Sequence, residues 1–377
     1  MSDIVVKPVG GRSELEQFLR LPWKIYAHDP QWVPPLLADV RSALDREKHP
    51  FYEHADVATF LARRGNDVVG RIAAIVNHTH NQFHEDKLGF FGLFECIDDQ
   101  AVANALLREA ESWLRARGMT AVQGPSNLST NEEVCSPGVQ LDGFHRPPSI
   151  MMTHTPKYYA RLLENAGYTK AKDLIAYWLV GEHVPERLER AYARMLRDGR
   201  IKLRSVDLKR FDAEVAVIQD IYNSAWERNW GFVPMSSREI LHLARQLRPV
   251  VNPYLCVIAE LDGEPVGFAL GLPDFNVALK HVNGTLFPLG IFKLLWHKRK
   301  IDTCRAITLG LKPHARKRAI DALMIAELFK EGKKTGIWKG ECSWILEDNW
   351  EMRHGIERSG GTVDKTYRVF EKQLTTT

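Results

Sequence analysis

Two stretches of this 377-residue chain repeat one another at long range, and a repeat constrains a fold more than any local pattern. DVATFLARRGNDVVGRIAAIVN (56–77) reads as two alternating strands around Gly65, Asn66 and Asp67. PYLCVIAELDGEPVGFALGLPD (253–274) has the same form around Asp262, Gly263 and Glu264. Both turns are hairpin chemistry. Each stretch has an alanine followed by a glycine at matched spacing, Ala62 and Gly70 against Ala259 and Gly267, an offset of 197 residues. A second match closes each half. LLENAGYTKAKDLIAYWL (162–179) and GIERSGGTVDKTYRVFEKQL (355–374) each read as a helix end, a glycine and a final strand. Here Glu164 and Gly167 align with Glu357 and Gly360 at an offset of 193.

Between these anchors each half carries an amphipathic helix stopped by glycine (100–118, 319–336), then a strand leading to Asn131 or Asn349, at an offset of 218. The drift locates two insertions: about 21 residues before the second helix (276–300) and about 25 after the first half's strand (132–156). Each half is then strand, one or two helices, hairpin, strand, helix, strand, helix, strand. That order, with a single strand-helix-strand crossover, predicts an α/β fold on a mixed sheet with a parallel central pair. A ligand cleft is expected at the strand ends. Single cores stop growing at roughly 250–300 residues, so two tandem domains are expected, 1–185 and 195–377.

Composition narrows the class. With 45% apolar and 26% charged residues, the chain has the balance of a globular protein rather than a disordered or coiled-coil one. No apolar run approaches a membrane span, and MSDIVVKPVGG shows no basic-then-apolar start, so a cytoplasmic location is expected. Five scattered cysteines (96, 135, 256, 304, 342) without a CxxC pair fit a reducing compartment, with neither a disulfide framework nor a structural zinc. HNQFH places His80 and His84 four apart beside His78, but without the Glu of HExxH it reads as a polar loop, not a metal site. The net charge of +4 hides an asymmetry. Residues 291–340 hold thirteen Lys or Arg against four Asp or Glu, a local +9, so the remainder sums to −5. Concentrated positive charge implies an anionic partner.

The element order, with a basic loop between the fourth strand and a long helix, resembles the GNAT superfamily of acyl-CoA-dependent N-acyltransferases. The second half carries the better match. Its strand RAITLGL (305–311) runs into KPHARKRAIDALMIAEL (312–328), where the family has Arg/Gln-x-x-Gly-x-Gly/Ala, often preceded by Pro. Pro313 and Arg316 stand where the family has them; Ala319 and Asp321 occupy the glycine region. The resemblance implies a cofactor-binding set of Leu309, Leu311, Arg316, Lys317, Arg318, Ala319 and Asn349, taking acetyl-CoA or a longer acyl-CoA as donor. Glycines there let backbone N–H groups close on a pyrophosphate at a helix N-terminus; the basic side chains could replace them. A solvated basic turn capping a helix is the plain alternative. The first half puts Glu95, Asp98 and Asp99 at the equivalent turn, which would repel a pyrophosphate, so the site is expected in the second repeat only. Phrases such as WKIYAHDPQWVPPL and SWILEDNWEM are also similar to bacterial tandem proteins of this superfamily, among them the ceramide-synthase type that acylates a sphingoid base.

Acyl transfer from a thioester to an amine needs a deprotonated amine, a donor at the thioester carbonyl and an acid for the thiolate. The candidates are Glu347 and Asn349 at the end of the last parallel strand, His354 on the following helix, and Asp274 after the hairpin. That helix lacks the tyrosine GNAT enzymes often use. Capping of the helix by Asp348 or Asn349 is an equally direct reading. The insert NGTLFPLGIFKLLWHKRK joins an apolar run to Lys298, Arg299 and Lys300, the composition of an interfacial element, so peripheral membrane contact through 284–300 and a small-molecule or lipid amine acceptor are expected. No nucleic-acid-binding motif accompanies the basic region, so a nucleic-acid partner is not expected. Two further readings stay open: a noncatalytic acyl-CoA- or lipid-binding GNAT-like protein, and long-chain acylation of a sphingoid-like amine.

Overall fold

The computed structural model describes residues 3–128, 136–181, 186–197, 199–227, 229–316 and 318–374; Asn131, an anchor of the repeat, lies outside them. It divides into two compact units. Unit 1 comprises Met1–Leu174, Leu279–Leu294 and Lys365–Thr377; unit 2 comprises Ile175–Ala278 and Leu295–Asp364. Each unit thus draws on both halves of the sequence.

Unit 1 opens with β1 (Ile4–Pro8), α1 (Gly11–Ile25) and α2 (Leu37–Ala43), then the hairpin β2 (Ala55–Arg64) and β3 (Asp67–Asn77). After α3 (His78–His84) come β4 (Leu88–Cys96), α4 (Gln100–Arg115), β5 (Ala121–Gly124), β6 (Val139–Gln140) and α5 (Tyr159–Asn165). The closing strand β7 (Thr169–Val180) leaves unit 1 at Leu174. α6 (Glu186–Arg197), β8 (Ile201–Ser205), α7 (Phe211–Trp226) and α8 (Ser237–Leu247) precede the second hairpin, β9 (Cys256–Leu261) and β10 (Glu264–Pro273). The rest is α9 (Asn276–Leu279), α10 (Gly290–Lys298), β11 (Thr303–Leu311), α11 (Ile320–Lys334), β12 (Lys339–Leu346), α12 (Trp350–Arg358) and β13 (Thr362–Gln373).

Both hairpins, both glycine-stopped helices and both closing strands lie where the repeat puts them. In unit 1 the order is β1-β2-β3-β4-β5-β13, with β6 also on β13. In it β4 and β5 run parallel, Leu88–Phe90 against Ala121–Gln123. In unit 2 the order is β8-β9-β10-β11-β12 with β7 beyond β12, and β11 with β12 is parallel. The closing strand of each half therefore completes the sheet of the other: β13 pairs with β5 through Phe370–Gln373 and Gly124–Ala121. Arg368 fixes β13 to β7 by a bidentate pair with Asp173 at 2.8 and 3.0 Å.

Alternation on the strands assigns the two faces. In β9, Val257 and Ala259 pack with Ile320 and Met324 of α11, while Cys256 and Ile258 pack with Ile221 and Trp226 of α7. In unit 1, Val102, Leu106 and Ala110 of α4 cover Phe60, Ile72 and Phe91, and Phe18 of α1 meets Val57 and Ile75 on the other face. Each sheet is thus buried on both sides, as a parallel pair requires. The segment around HNQFH is the short helix α3, not a loop: Asn77 Oδ1 accepts from His80 N at 3.0 Å and starts the turn. No helix among the described residues is long and apolar enough to cross a membrane.

Candidate functional site

The fourth strand of each repeat is bulged against its hairpin. In β4 the register against β3 shifts between Arg71 and Ala73, and Leu93 takes a φ of 47°. In β11 the register against β10 shifts between Leu270 and Gly271, leaving Ile307 as the extra residue. A bulge bends a strand and raises its twist. Past the bulge the two units differ. In unit 1 the two parallel strands stay bridged beyond their ladder: Ser126 N donates to Phe91 O at 2.7 Å, and Leu93 N donates to Asn127 Oδ1 at 2.9 Å. In unit 2 the ladder runs from Thr303 with Lys339 to Ala306 with Cys342 and ends at the bulge, while β11 continues to Leu311 and β12 to Leu346. Among the described residues no backbone bond joins the two strands beyond that point. The parallel pair of unit 2 opens toward its C-terminal ends as a wedge.

Sequence-derived candidates fall around this wedge unevenly. At its open end, Leu309 and Leu311 turn their side chains into the α11-side core, so only their backbone faces the opening. The loop after β11 delivers Arg316, Arg318 and Ala319 to the start of α11; Lys317 lies outside the described residues. Arg316 is committed, its Nε donating to Leu311 O at 3.3 Å and its guanidinium to Ala225 O at 2.7 Å, a cation against the last turn of α7. Lys312 is committed too, with Asp220 at 2.8 Å and Glu264 at 3.0 Å; burial opposes its charge, but these carboxylates outweigh it and hold its pKa above the ordinary lysine value. Arg318 is exposed, and its charge acts on Asp262. Ala319 takes the left-handed φ of 55° that favours glycine and gives α11 no side-chain cap. The first turn of α11 therefore presents its N–H groups, with Asp321 as its acidic residue.

The equivalent helix of unit 1 is closed. Asp99 Oδ1 accepts from Ala101 N and Val102 N at 2.9 and 3.3 Å, its other oxygen pairs with Arg64 at 2.6 Å, and Asp98 pairs with Arg161. Glu95 accepts from Tyr159 Oη at 2.7 Å, and burial raises its pKa above the ordinary glutamate value although Arg71 opposes this. The acidic turn has become a self-capped helix start.

The remaining candidates separate along β12 and β10. Asn349 caps α12, its Oδ1 accepting from Met352 N at 3.2 Å. Glu347 O accepts from Arg353 at 2.7 Å. His354 is exposed, its ring 5.9 Å from that of Trp350. Asp274 lies at the closed end: it is buried, its N–H donates to Thr303 O at 2.9 Å, and its Oδ1 accepts from Asn276 N at 3.1 Å. Glu347 and Asn349 thus share the open edge with the basic loop, and Asp274 does not.

The structure adds residues the repeat did not reveal. At the base of the wedge Arg305 Nε donates to Ser343 Oγ at 2.9 Å, and Ser343 Oγ donates to Glu341 Oε1 at 2.6 Å, all three buried. A signal existed: arginine and glutamate stand at matched positions of two strands that a parallel pair must bury, and the register sets Arg305 against Glu341. Burial pushes the neighbouring thiols of Cys304 and Cys342 up to about 12. Beyond the bulge, Gly310 lies against Trp226, where a Cβ would come within 2.1 Å of the ring. Thr308 Oγ1 is buried without a hydrogen-bond partner among the described residues. An orphaned hydroxyl on an unpaired strand edge, an uncapped helix start and the exposed Arg318 fit a long donor carrying amides and a pyrophosphate. Among the described residues no three His, Cys, Asp or Glu side chains are grouped to hold a metal.

No protein-family model matches the chain. It is 40% identical to the bacterial ceramide synthase of Caulobacter vibrioides, over 99% of this chain and 98% of that protein. It is 33% identical to Protein YghO of Escherichia coli, over 98% and 95%. Among solved structures, a tandem GNAT protein from the clavulanic acid biosynthesis pathway matches the whole of both chains with a TM-score of 0.58 at 12% identity. A GCN5-related N-acetyltransferase from Sphaerobacter thermophilus matches 99% of this chain and 96% of its own with a TM-score of 0.53 at 13% identity. The chain therefore belongs to the family of the Caulobacter bacterial ceramide synthase and YghO, and its fold is that of a tandem GNAT protein.

Proposed function

We propose that the protein is an acyl-CoA-dependent N-acyltransferase whose working site is the wedge of unit 2, and that its acceptor is a lipid amine. The observation that carries this is the contrast between the two parallel pairs: β11 and β12 part beyond their bulge where β4 and β5 stay bridged, and α11 starts without the carboxylate cap that Asp99 gives α4. The 40% identity to a protein named bacterial ceramide synthase supports a long-chain base as the acceptor.

When bound, CoA supplies the activated acyl group as a thioester. Its pyrophosphate would be held by the N–H groups of Ile320 to Ala322 together with Arg318, where the helix dipole favours an anion. The free edge of β11, with Thr308 Oγ1, would receive the amide-bearing arm. In the reaction the amine nitrogen bonds to the acyl carbon, the C–S bond breaks, the amine gives up a proton and the thiolate takes one. Glu347, the candidate carboxylate on the open edge with the basic loop, is the proton acceptor on this reading. Arg305, Ser343 and Glu341 fix the two strands at the point where they part.

The test is calorimetric titration with CoA and palmitoyl-CoA, followed by thiol release measured across a panel of amines that includes sphinganine. Reversing Lys317 and Arg318 to Glu should weaken CoA binding at least tenfold; Arg316 is the wrong target, because its loss would also unseat α7. Unchanged affinity would refute the placement of the pyrophosphate. Tight binding with no thiol release on any amine would favour a noncatalytic acyl-CoA-binding protein.

A further inference from the structure

The segment leading into α10 exposes its apolar residues. Phe287, Leu289, Phe292, Leu295 and Trp296 are between 56% and 75% exposed, a density of uncovered large side chains found nowhere else among the described residues. Helical spacing shows that this is a face. Phe292, Leu295 and Trp296 lie at i, i+3 and i+4 and point outward, while Ile291 and Leu294 are half-buried on the inner side. The base of the segment is held in unit 1: Trp23 Nε1 donates to Asn283 Oδ1 at 2.9 Å, and Leu37 N donates to Gly284 O at 3.0 Å. Ile291 N closes the turn on Leu286 O at 2.6 Å. The apolar residues are thus raised from an anchored stem.

Charge selects the occupant. Residues 284–300 contain four Lys or Arg and no Asp or Glu. Lys293 flanks the apolar face on one side, and Lys298, its Nζ 5.4 Å from the Phe275 ring centroid, flanks it on the other; exposed Arg299 and Lys300 follow. An apolar face with aromatic residues, edged by cations and without a carboxylate, is matched to the interface of an anionic bilayer, with rings at headgroup depth and ammonium groups at the phosphates. At nine residues α10 is far short of the ~20 needed to span. We propose that the segment from Phe287 to Lys300 docks the protein peripherally on an anionic membrane surface, with Phe292, Leu295 and Trp296 inserted into the interface.

The proposal does not depend on acyl transfer, and its test uses no substrate. Full-length protein is floated with vesicles of phosphatidylcholine alone or with about 30% phosphatidylglycerol. It should float with the anionic vesicles, stay behind with the neutral ones, and be released by high salt. Replacing Phe292, Leu295 and Trp296 with Ser should cut binding at least tenfold, as should reversing Lys298, Arg299 and Lys300 to Glu. All six residues are exposed, so both variants should keep the circular dichroism of the parent protein. Failure of the wild type to float with anionic vesicles overturns the proposal, as does undiminished binding of the serine variant. A dimer seen by light scattering that the serine variant dissolves, without vesicle binding, would assign the face to a second copy instead. Loss of docking with CoA binding intact would leave the acyltransferase reading standing, and the reverse would leave docking standing.

Discussion

Removing the hydroxyl that bridges the base of the wedge gives a sharp test of how unit 2 is built. Ser343 Oγ accepts from Arg305 Nε at 2.9 Å and donates to Glu341 Oε1 at 2.6 Å. Arg305 is 2%, Ser343 1% and Glu341 0% exposed, so water cannot take the place of the hydroxyl without opening the strands. Ser343→Ala therefore leaves a guanidinium and a carboxylate each short of one partner. Hydrogen bonds to charged groups contribute roughly 1.5–3 kcal/mol net, and two are lost, but direct approach of the two charges recovers part, so the expected cost is about 2–4 kcal/mol. Hydrogen exchange of the β11 and β12 amides, read by mass spectrometry, measures this locally and separates it from events in unit 1. A double-mutant cycle with Glu341→Gln should show a coupling of at least ~1 kcal/mol. If Ser343→Ala changes protection by less than about 0.5 kcal/mol and adds simply to Glu341→Gln, the three residues do not act as a unit and the argument fails.

Three other outcomes rest on particular contacts. Gly310→Ala would put a methyl group within 2.1 Å of Trp226 and should cost about 1–3 kcal/mol in urea denaturation, most of it recovered by Trp226→Leu. Asp99→Ala removes the cap of α4 and the Arg64 pair and should cost about 1–2 kcal/mol while leaving CoA affinity unchanged. Burial first, then His84, lowers the pKa of His80 from 6.5 to about 4, against the pull of Asp86. The unfolded chain takes up this proton below about pH 6.5 and the folded chain does not until about pH 4, so stability is full above the higher value and falls between them. The loss between pH 7.5 and 5 should be about 2 kcal/mol by urea denaturation, and His80→Phe should remove most of that slope.

The placement of Arg316 shows where reading from motif alone runs out. Its position in the loop matches a phosphate-binding pattern, yet in the fold its guanidinium closes the end of α7, because a cation near free helix carbonyls is held by them. Asn349 behaves likewise, serving α12 as a cap. Both are local polar groups satisfied by the nearest backbone, and no sequence spacing distinguishes that use from ligand contact. Ala319 is the reverse case. A residue that looks like the loss of a glycine still adopts the glycine conformation, at φ 55°, so the loop keeps its course at some cost in strain.

By itself the sequence determined the elements and their duplication. Strand alternation, helical spacing and turn glycines act over a few residues, so both hairpins, both crossover helices and the parallel pairs could be placed from the drifting offsets. The acidic turn at Asp98 and Asp99 likewise marked a helix start, which Asp99 caps in the fold. Only the tertiary structure decided which closing strand completes which sheet, that β11 and β12 part while β4 and β5 stay bridged, and that Arg305 and Glu341 lie buried at the point of parting. Each of these depends on which distant segments pair. The two closing strands have the same pattern of alternation, so periodicity cannot say whether β13 belongs beside β12 or, as found, beside β5.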